Sequence, residues 1–83
     1  MNYYVKLKPK AVKDLRRLQS TEAERVLDAL AKMQDDLAGN VKRLTNYSPE
    51  YRLRVGNYRA LFEIENQECI VVYRILHRKD AYR

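Results

Sequence analysis

Arginine dominates the part of the sequence that could do chemistry. Five arginines lie between residues 52 and 78, at spacings that strand pairing would bring together: Arg52, Arg54, Arg59, Arg74 and Arg78. Arginine is planar and permanently charged, and it can grip a phosphate with two hydrogen bonds. A row of arginines on one side of a sheet is the arrangement expected for binding a nucleic-acid backbone.

The same arginines could instead form a solvated surface, with Glu63, Glu65 and Glu68 as partial partners. Like charges directly opposite one another on antiparallel strands destabilise a sheet by about 0.2 to 1 kcal/mol each. Folding alone therefore does not explain such a row, whereas a bound anion would. We expect an anion site, with a solvated charged face as the alternative.

The other reactive residues offer less. Tyr82 could stack on a base or hold a proton, although a tyrosine near the end of a chain more often packs or lies on the surface. His77 is expected to be a hydrogen-bonded residue at the core edge and Cys69 a buried, inert thiol. These two residues are too few ligands for a structural zinc site, so we expect neither a metal nor a cofactor.

Length and composition restrict the class of protein. The chain has 83 residues, with 17 Lys plus Arg against 11 Asp plus Glu, and a formal net charge of +6. A chain of this length supports one modest core, so we expect a single domain over residues 1–83. It contains no apolar run long enough to span a membrane and no apolar block typical of a signal peptide, which favours a cytoplasmic protein without a membrane partner.

A strand and two helices are predicted in the N-terminal half. Alternating apolar and basic residues over 3–8 favour a half-buried strand, and Pro9 can open a helix over residues 10–19. Thr21 and Glu24 have the form of a capping box at the start of a second helix. The apolar stripe of that helix comprises Val26, Leu27, Leu30, Met33 and Leu37. Gly39-Asn40 is predicted to end the helix in a left-handed conformation.

A loop and three strands are predicted to follow. The loop covers residues 41–50, and the strands cover residues 51–55, 58–65 and 68–77. The order strand-helix-helix-strand-strand-strand predicts an α+β fold, in which a helical hairpin packs on one face of a small, mainly antiparallel sheet.

Two turns set the predicted register. Gly56-Asn57 is a strong signal for a two-residue hairpin and puts Arg54 opposite Arg59. A second two-residue turn at Asn66-Gln67 would put Arg59 opposite Arg74. Because successive side chains of a strand point to opposite faces of the sheet, one face is apolar and packs against the helices, and the arginines lie on the opposite face. The predicted apolar face comprises Tyr51, Leu53, Val55, Tyr58, Ala60, Phe62, Ile64, Cys69, Val71, Tyr73, Ile75 and His77.

Two stretches resemble the RelE toxins of the RelE/ParE superfamily of bacterial and archaeal toxin-antitoxin systems: residues 51–64 (YRLRVGNYRALFEI) and residues 71–83 (VVYRILHRKDAYR). The element order and length fit RelE toxins over the whole chain. The resemblance implies the toxin of a type II system, a ribosome-dependent ribonuclease that cuts messenger RNA in the ribosomal A site. It also implies a cognate antitoxin that wraps around a monomeric toxin to give a hetero-oligomer.

The resemblance also implies roles for individual residues. Arg52 and Arg54 match basic positions on the first meander strand, Arg59 matches the arginine after the turn tyrosine, and Arg78 and Tyr82 match functional residues near the C-terminal end. Some RelE toxins have lysines at the first two positions, and a lysine can serve as a base whereas arginine cannot. The general base therefore stays open. The expected catalytic residues are Arg59, Arg78 and Tyr82, and the expected RNA-binding residues are Arg52, Arg54 and Arg74.

Metal-free RNA cleavage fits these residue types. The ribose 2′-hydroxyl attacks the adjacent phosphorus, giving a 2′,3′-cyclic phosphate and a 5′-hydroxyl, and arginines supply positioning and charge. Two alternatives stay open: a ParE-like toxin that acts on DNA gyrase, and a non-catalytic RNA-binding module. The second typically carries aromatic residues on its basic face, whereas the meander aromatics here are predicted to face the core.

Overall fold

The computed structural model describes residues 2–82. This part of the chain contains two helices and five strands, in the order β1 (Tyr4–Leu7), α1 (Pro9–Arg16), α2 (Ser20–Met33), β2 (Val41–Arg43), β3 (Tyr51–Val55), β4 (Tyr58–Glu65) and β5 (Cys69–His77). All five strands form one sheet with the spatial order β1-β5-β4-β3-β2. Only β1 and β5 are parallel among these pairs. The predicted α+β class and element order are confirmed.

The helix boundaries agree only in part with those predicted from the sequence. Pro9 occupies the start of α1, as predicted, because its missing N–H leaves no donor to satisfy there. The predicted capping box is wrong: α2 starts at Ser20, so Thr21 lies inside the first turn, and no side chain caps it. The helix also ends at Met33, before the predicted stop, and Leu37 has a left-handed φ of 59°.

The core lies between the helices and one face of the sheet. Val26, Leu30 and Met33 of α2 are buried as predicted, whereas Leu27 is 47% exposed and lies off the stripe. The remaining buried residues of this cluster come from α1 and from strands β3 to β5: Ala11, Leu53, Ala60, Phe62, Ile70, Val72 and Ile75. Within residues 2–82, no helix is long and apolar enough to cross a membrane.

The predicted pairing of β4 with β5 is wrong. The turn between them has three residues, since Glu65 pairs with Cys69, and Asn66 and Gln67 both have left-handed φ values. Ile70 and Val72 therefore face the helices in place of Cys69, Val71 and Tyr73. Cys69 is half-buried, and Val71 is buried without joining the core cluster.

A β-bulge returns the side chains further along β5 to the faces predicted for them. The register shifts between Leu61 and Phe62, so that Tyr73 is left without a partner in the ladder and Ile75 again faces the helices. The three-residue turn and the bulge each move the register by one residue, so Arg59 lies opposite Leu76 and not opposite Arg74, which lies opposite Leu61.

The predicted loop over residues 41–50 is partly a strand. Val41–Arg43 forms β2, which pairs with β3 so that Lys42 lies opposite Arg52. The chain that follows reaches the sheet face away from the helices, where the backbone N–H of Glu50 donates to the carboxylate of Glu63. Leu61 and Ala81 are buried at 3% and 1% exposure, so this second face is partly covered.

Candidate nucleic-acid interface

An open pocket of about 400 Å³ lies over β2, β3 and β4 on the sheet face away from the helices. We call it the basic pocket. It is lined by Lys42, Leu44, Thr45, Tyr47, Arg52, Arg54, Arg59 and Tyr82. Four of these side chains carry a positive charge and none carries a negative charge. The pocket therefore has the chemistry of an anion site.

Strand register brings the four cations together. Gly56 takes a left-handed φ of 57° in the two-residue turn between β3 and β4, a conformation that favours glycine. The turn fixes the β3–β4 register, in which Arg54 lies opposite Arg59, as predicted. On the other side of β3, Lys42 lies opposite Arg52. Two like-charged pairs therefore lie side by side, an arrangement that opposes folding.

Neutral acceptors orient two of the arginines. Nη1 of Arg52 donates to the backbone and side-chain oxygens of Asn40, at 2.8 and 2.9 Å. Nη1 of Arg59 donates to the carbonyls of Gly56 and Tyr58, at 2.9 and 3.0 Å. These bonds fix each guanidinium without cancelling its charge, and each keeps further N–H donors for an anion.

Within residues 2–82, no carboxylate lies within ion-pair distance of Arg52, Arg54 or Arg59. The ion pairs in this part of the chain join Arg43 to Glu50, at 3.2 Å, and Arg74 to Asp14. Glu63, one of the three glutamates considered as partners, instead accepts from the backbone of Glu50. In the described residues, these three arginines are therefore not paired with the glutamates considered as partial partners.

Two tyrosines form one side of the basic pocket. Tyr82 is 47% exposed, and its ring meets that of Tyr47 edge-on, with centroids 5.7 Å apart. The hydroxyl of Tyr47 donates to the carbonyl of Ala81 at 3.2 Å. Aromatic rings beside clustered cations are what stacking on a nucleic-acid base requires. Of the meander aromatics, Tyr51, Tyr58 and Phe62 pack in or against the core as predicted, so the rings on this face come from outside the meander strands.

Arg74 does not join the basic pocket. Its Nε donates to Oδ2 of Asp14 at 2.8 Å, and its Nη2 lies 3.2 Å from Oδ1. The hydrogen bond with this carboxylate raises the pKa of Arg74 above its ordinary value. Asp14 is only 7% exposed and also accepts from the backbone N–H of Ile75 at 2.9 Å. The pair thus ties α1 to the stretch of β5 beyond its pairing with β1.

Arg78 also lies outside the basic pocket. It is exposed in the turn after β5, and its backbone N–H donates to the carbonyl of Asn57 at 2.7 Å. Of the six predicted site residues, the structure brings together Arg52, Arg54, Arg59 and Tyr82, and it places Arg74 and Arg78 elsewhere.

The other reactive residues lie away from the basic pocket. His77 is half-buried and meets the ring of Tyr58 edge-on at 5.5 Å, which agrees with its predicted place at the core edge. Its Nδ1 accepts from the backbone N–H of Lys79 at 3.2 Å. In the described part of the chain, no group of three His, Cys, Asp or Glu residues is placed to hold a metal ion.

Sequence reasoning missed Lys42 and Tyr47. Both belong to the stretch predicted as a loop, and β2 is only three residues long, too short to show a period of two. The one weak signal for β2 was the sequence Val41-Lys42-Arg43, in which a basic residue follows an apolar residue and precedes a second basic residue. Nothing local indicates the contact of Tyr47 with Tyr82, 35 residues further along the chain.

Comparison with known proteins identifies the class. The family described as ParE toxin of type II toxin-antitoxin system, parDE, matches residues 5–82. Toxin RelE3 of Methanocaldococcus jannaschii is 36% identical over 76 residues, covering 86% of this chain and 85% of the relative. The chain therefore belongs to the ParE toxin family of the RelE/ParE superfamily, a family of type II toxins. The resemblance to RelE-type toxins is confirmed.

Solved structures agree with this assignment. The RelB-RelE antitoxin-toxin complex from Methanococcus jannaschii contains a chain that matches with a TM-score of 0.72 and 30% identity, covering 88% of this chain and 89% of that one. The RelBE2 toxin-antitoxin complex from Mycobacterium tuberculosis contains a chain that matches with a TM-score of 0.80 and 23% identity, covering 94% of this chain and 100% of that one. The second likeness shows the shared fold.

Proposed function

We propose that this toxin is a metal-independent endoribonuclease that cuts messenger RNA in the ribosomal A site and so inhibits translation. The observation that carries the proposal is the basic pocket, where four cations and two tyrosines meet with no acidic side chain in the lining. Its open, concave shape suits a single-stranded backbone with an accessible base. Its like-charged pairs oppose folding, and a bound phosphate backbone would offset that cost.

The proposed reaction is a transesterification within the RNA. The 2′-oxygen forms a bond to the adjacent phosphorus and gives up its proton, while the bond from phosphorus to the 5′-oxygen breaks and that oxygen gains a proton. The products are a 2′,3′-cyclic phosphate and a 5′-hydroxyl. Charge on the non-bridging oxygens increases in the transition state, so fixed cationic donors accelerate the step.

Arg59 and Arg54 are the proposed donors to the scissile phosphate. They lie opposite one another, and Arg59 is oriented by two backbone carbonyls. Preorganised donors of this kind contribute more than mobile ones because they need not reorganise during the reaction. Arg52 and Lys42, the neighbouring pair, would hold an adjacent phosphate.

Tyr82 would stack on a base or assist a proton transfer. Arginine has no acceptor for the proton of the 2′-hydroxyl, so the cations of the pocket other than Lys42 cannot serve as a base. The general base therefore stays unassigned. An enzyme that is weak in proton transfer depends on alignment, and the ribosome would supply it by presenting the RNA in one geometry.

The two arginines outside the pocket have different proposed roles. Arg78, exposed beside the β3–β4 turn, would contact a phosphate beyond the pocket. Arg74 is engaged by the carboxylate of Asp14, so we assign it no direct contact with RNA.

A cognate antitoxin is the proposed protein partner. Solved relatives are complexes of RelE with RelB, and one of them is 30% identical to this chain. With a net charge of +6 and an exposed basic pocket, the toxin would attract an acidic segment that folds on binding. We propose a monomeric free toxin and a hetero-oligomer with the antitoxin in the cytoplasm.

The test compares ribosomes programmed with a defined messenger RNA and an empty A site with the same RNA alone. Mapping of the RNA ends should show cuts within the A-site codon, only with ribosomes, leaving a cyclic phosphate and a 5′-hydroxyl. The assembled ribosome complex is first crosslinked so that it survives removal of divalent ions. Cleavage should then persist in a buffer that contains a chelator and no added divalent ions. Intact RNA in both samples, with folded protein, would contradict the proposal.

A gyrase-directed toxin is the second candidate. The observation that favours it is the family match itself, because the family is described as ParE toxins. Inhibition of DNA supercoiling by purified gyrase, together with intact messenger RNA on ribosomes, would establish this alternative.

A further inference from the structure

Tyr47 lies between the basic pocket and the C-terminal segment that carries Tyr82. It belongs to the chain between β2 and β3, and its ring lines the pocket. Its hydroxyl donates to the carbonyl of Ala81 at 3.2 Å, and its ring meets that of Tyr82 at a centroid distance of 5.7 Å and an interplanar angle of 82°. One side chain therefore holds two consecutive residues of the C-terminal segment.

Tyr82 depends on such an anchor. It follows the last strand and is 47% exposed, whereas its neighbour Ala81 is 1% exposed. Within residues 2–82, the ring of Tyr47 is the one aromatic partner of Tyr82. Tyr82 lies beyond β5 and outside the hydrogen-bonded pairs of the sheet, so side-chain contacts have to hold it in place. Without Tyr47, the Tyr82 ring would be free to leave the basic pocket.

We propose that Tyr47 is a positioning residue that fixes the Tyr82 ring at the edge of the basic pocket, ready to meet the bound RNA. The inference rests on the proposed function, in which Tyr82 acts on RNA. Its physical basis is preorganisation. A ring that is already ordered before RNA binds loses no further conformational freedom when the complex forms and reacts.

The kinetic consequence is a coupling between the two tyrosines. Tyr47→Phe keeps the ring and loses the hydroxyl, and its kcat should fall about 3- to 10-fold, the loss expected for one hydrogen bond. Tyr47→Leu also loses the ring contact and should be slower still, with KM unchanged. In a Tyr82→Ala background, Tyr47→Leu should have no further effect, because the group that Tyr47 positions is gone.

A second readout needs no cleavage. The chain has no tryptophan, so Tyr82→Trp introduces a single tryptophan whose emission reports on this segment. Adding Tyr47→Leu to that variant should lower the fluorescence anisotropy and raise quenching by acrylamide. Adding Tyr4→Leu is the matched control, because Tyr4 is 71% exposed on β1, remote from β2 in the sheet. The control should change neither quantity.

The two readouts separate the inference from the function on which it rests. If the wild-type toxin cuts no RNA, the proposed function fails, and the tryptophan measurement still decides whether Tyr47 orders the segment. Unchanged anisotropy and quenching in Tyr47→Leu, or additive losses of kcat in the double variant, would overturn the inference. If Tyr47→Leu loses its cooperative thermal transition, Tyr47→Phe decides in its place: lower anisotropy supports the inference, and an unchanged value overturns it.

Discussion

Arg54 and Arg59 lie directly opposite each other on adjacent antiparallel strands, in a pocket lined by two further cations. Their pairing follows from the tight turn at Gly56, so the turn that forms the hairpin also places two positive charges side by side. Within residues 2–82, neither has a carboxylate at ion-pair distance. This unpaired charge is the property from which the proposed function follows.

Removing one of these charges should stabilise the free toxin. Arg54→Gln keeps a shorter, uncharged polar side chain and relieves the repulsion, so the free energy of unfolding should rise by about 0.2 to 1 kcal/mol at low salt. The gain should shrink as salt screens the charges. Urea unfolding at two salt concentrations measures it. Arg16→Gln is the control and should give no gain, because Arg16 is in the last turn of α1, where a positive charge is favourable.

Lys42 should contribute one phosphate contact to RNA binding. For single strands, the negative slope of log K against log salt concentration should become shallower by about 0.7 for Lys42→Gln. Titration of single-stranded RNA at several salt concentrations measures this slope. Lys6→Gln removes an equal charge from β1, at the other edge of the sheet. Equal slopes for the two variants would show that the RNA does not distinguish the basic pocket from the remaining surface.

Asp14 should be a stability residue. Asp14→Ala leaves the Arg74 guanidinium and the Ile75 N–H without their shared acceptor, which should cost about 2 to 4 kcal/mol in the free energy of unfolding. Asp14→Asn keeps an acceptor for the backbone and should cost less. Chemical denaturation measures both. Asp28→Ala removes an exposed carboxylate and should stay within about 0.5 kcal/mol of wild type; an equal loss there would refute a special role for Asp14.

The half of the site that lies on β3 and β4 could be predicted from sequence. Gly56-Asn57 fixes a two-residue turn, and alternation then places Arg52, Arg54 and Arg59 on one face. This part depends on local turn chemistry and on a period of two, both of which a single sequence displays.

The rest of the site depends on tertiary contacts. The three-residue turn after Glu65 and the bulge beside Arg74 each switch the side chains of β5 to the opposite face of the sheet. Asp14, distant in sequence, stabilises the resulting position of Arg74 through a carboxylate that no strand pattern reveals. In the same way, β2 forms because β3 offers a free edge, and that pairing brings Lys42 into the pocket.

The most direct test of the central claim compares Arg59→Ala with Arg16→Ala on ribosomes with an empty A site. Both variants lose one positive charge, but only Arg59 lines the basic pocket. The proposed mechanism predicts that Arg59→Ala cuts the A-site codon at least about 100-fold more slowly, in line with the loss of one oriented donor to a developing oxyanion. Arg16→Ala should cut at the wild-type rate. Cleavage by folded Arg59→Ala at the wild-type rate would contradict the assignment of the basic pocket as the active site.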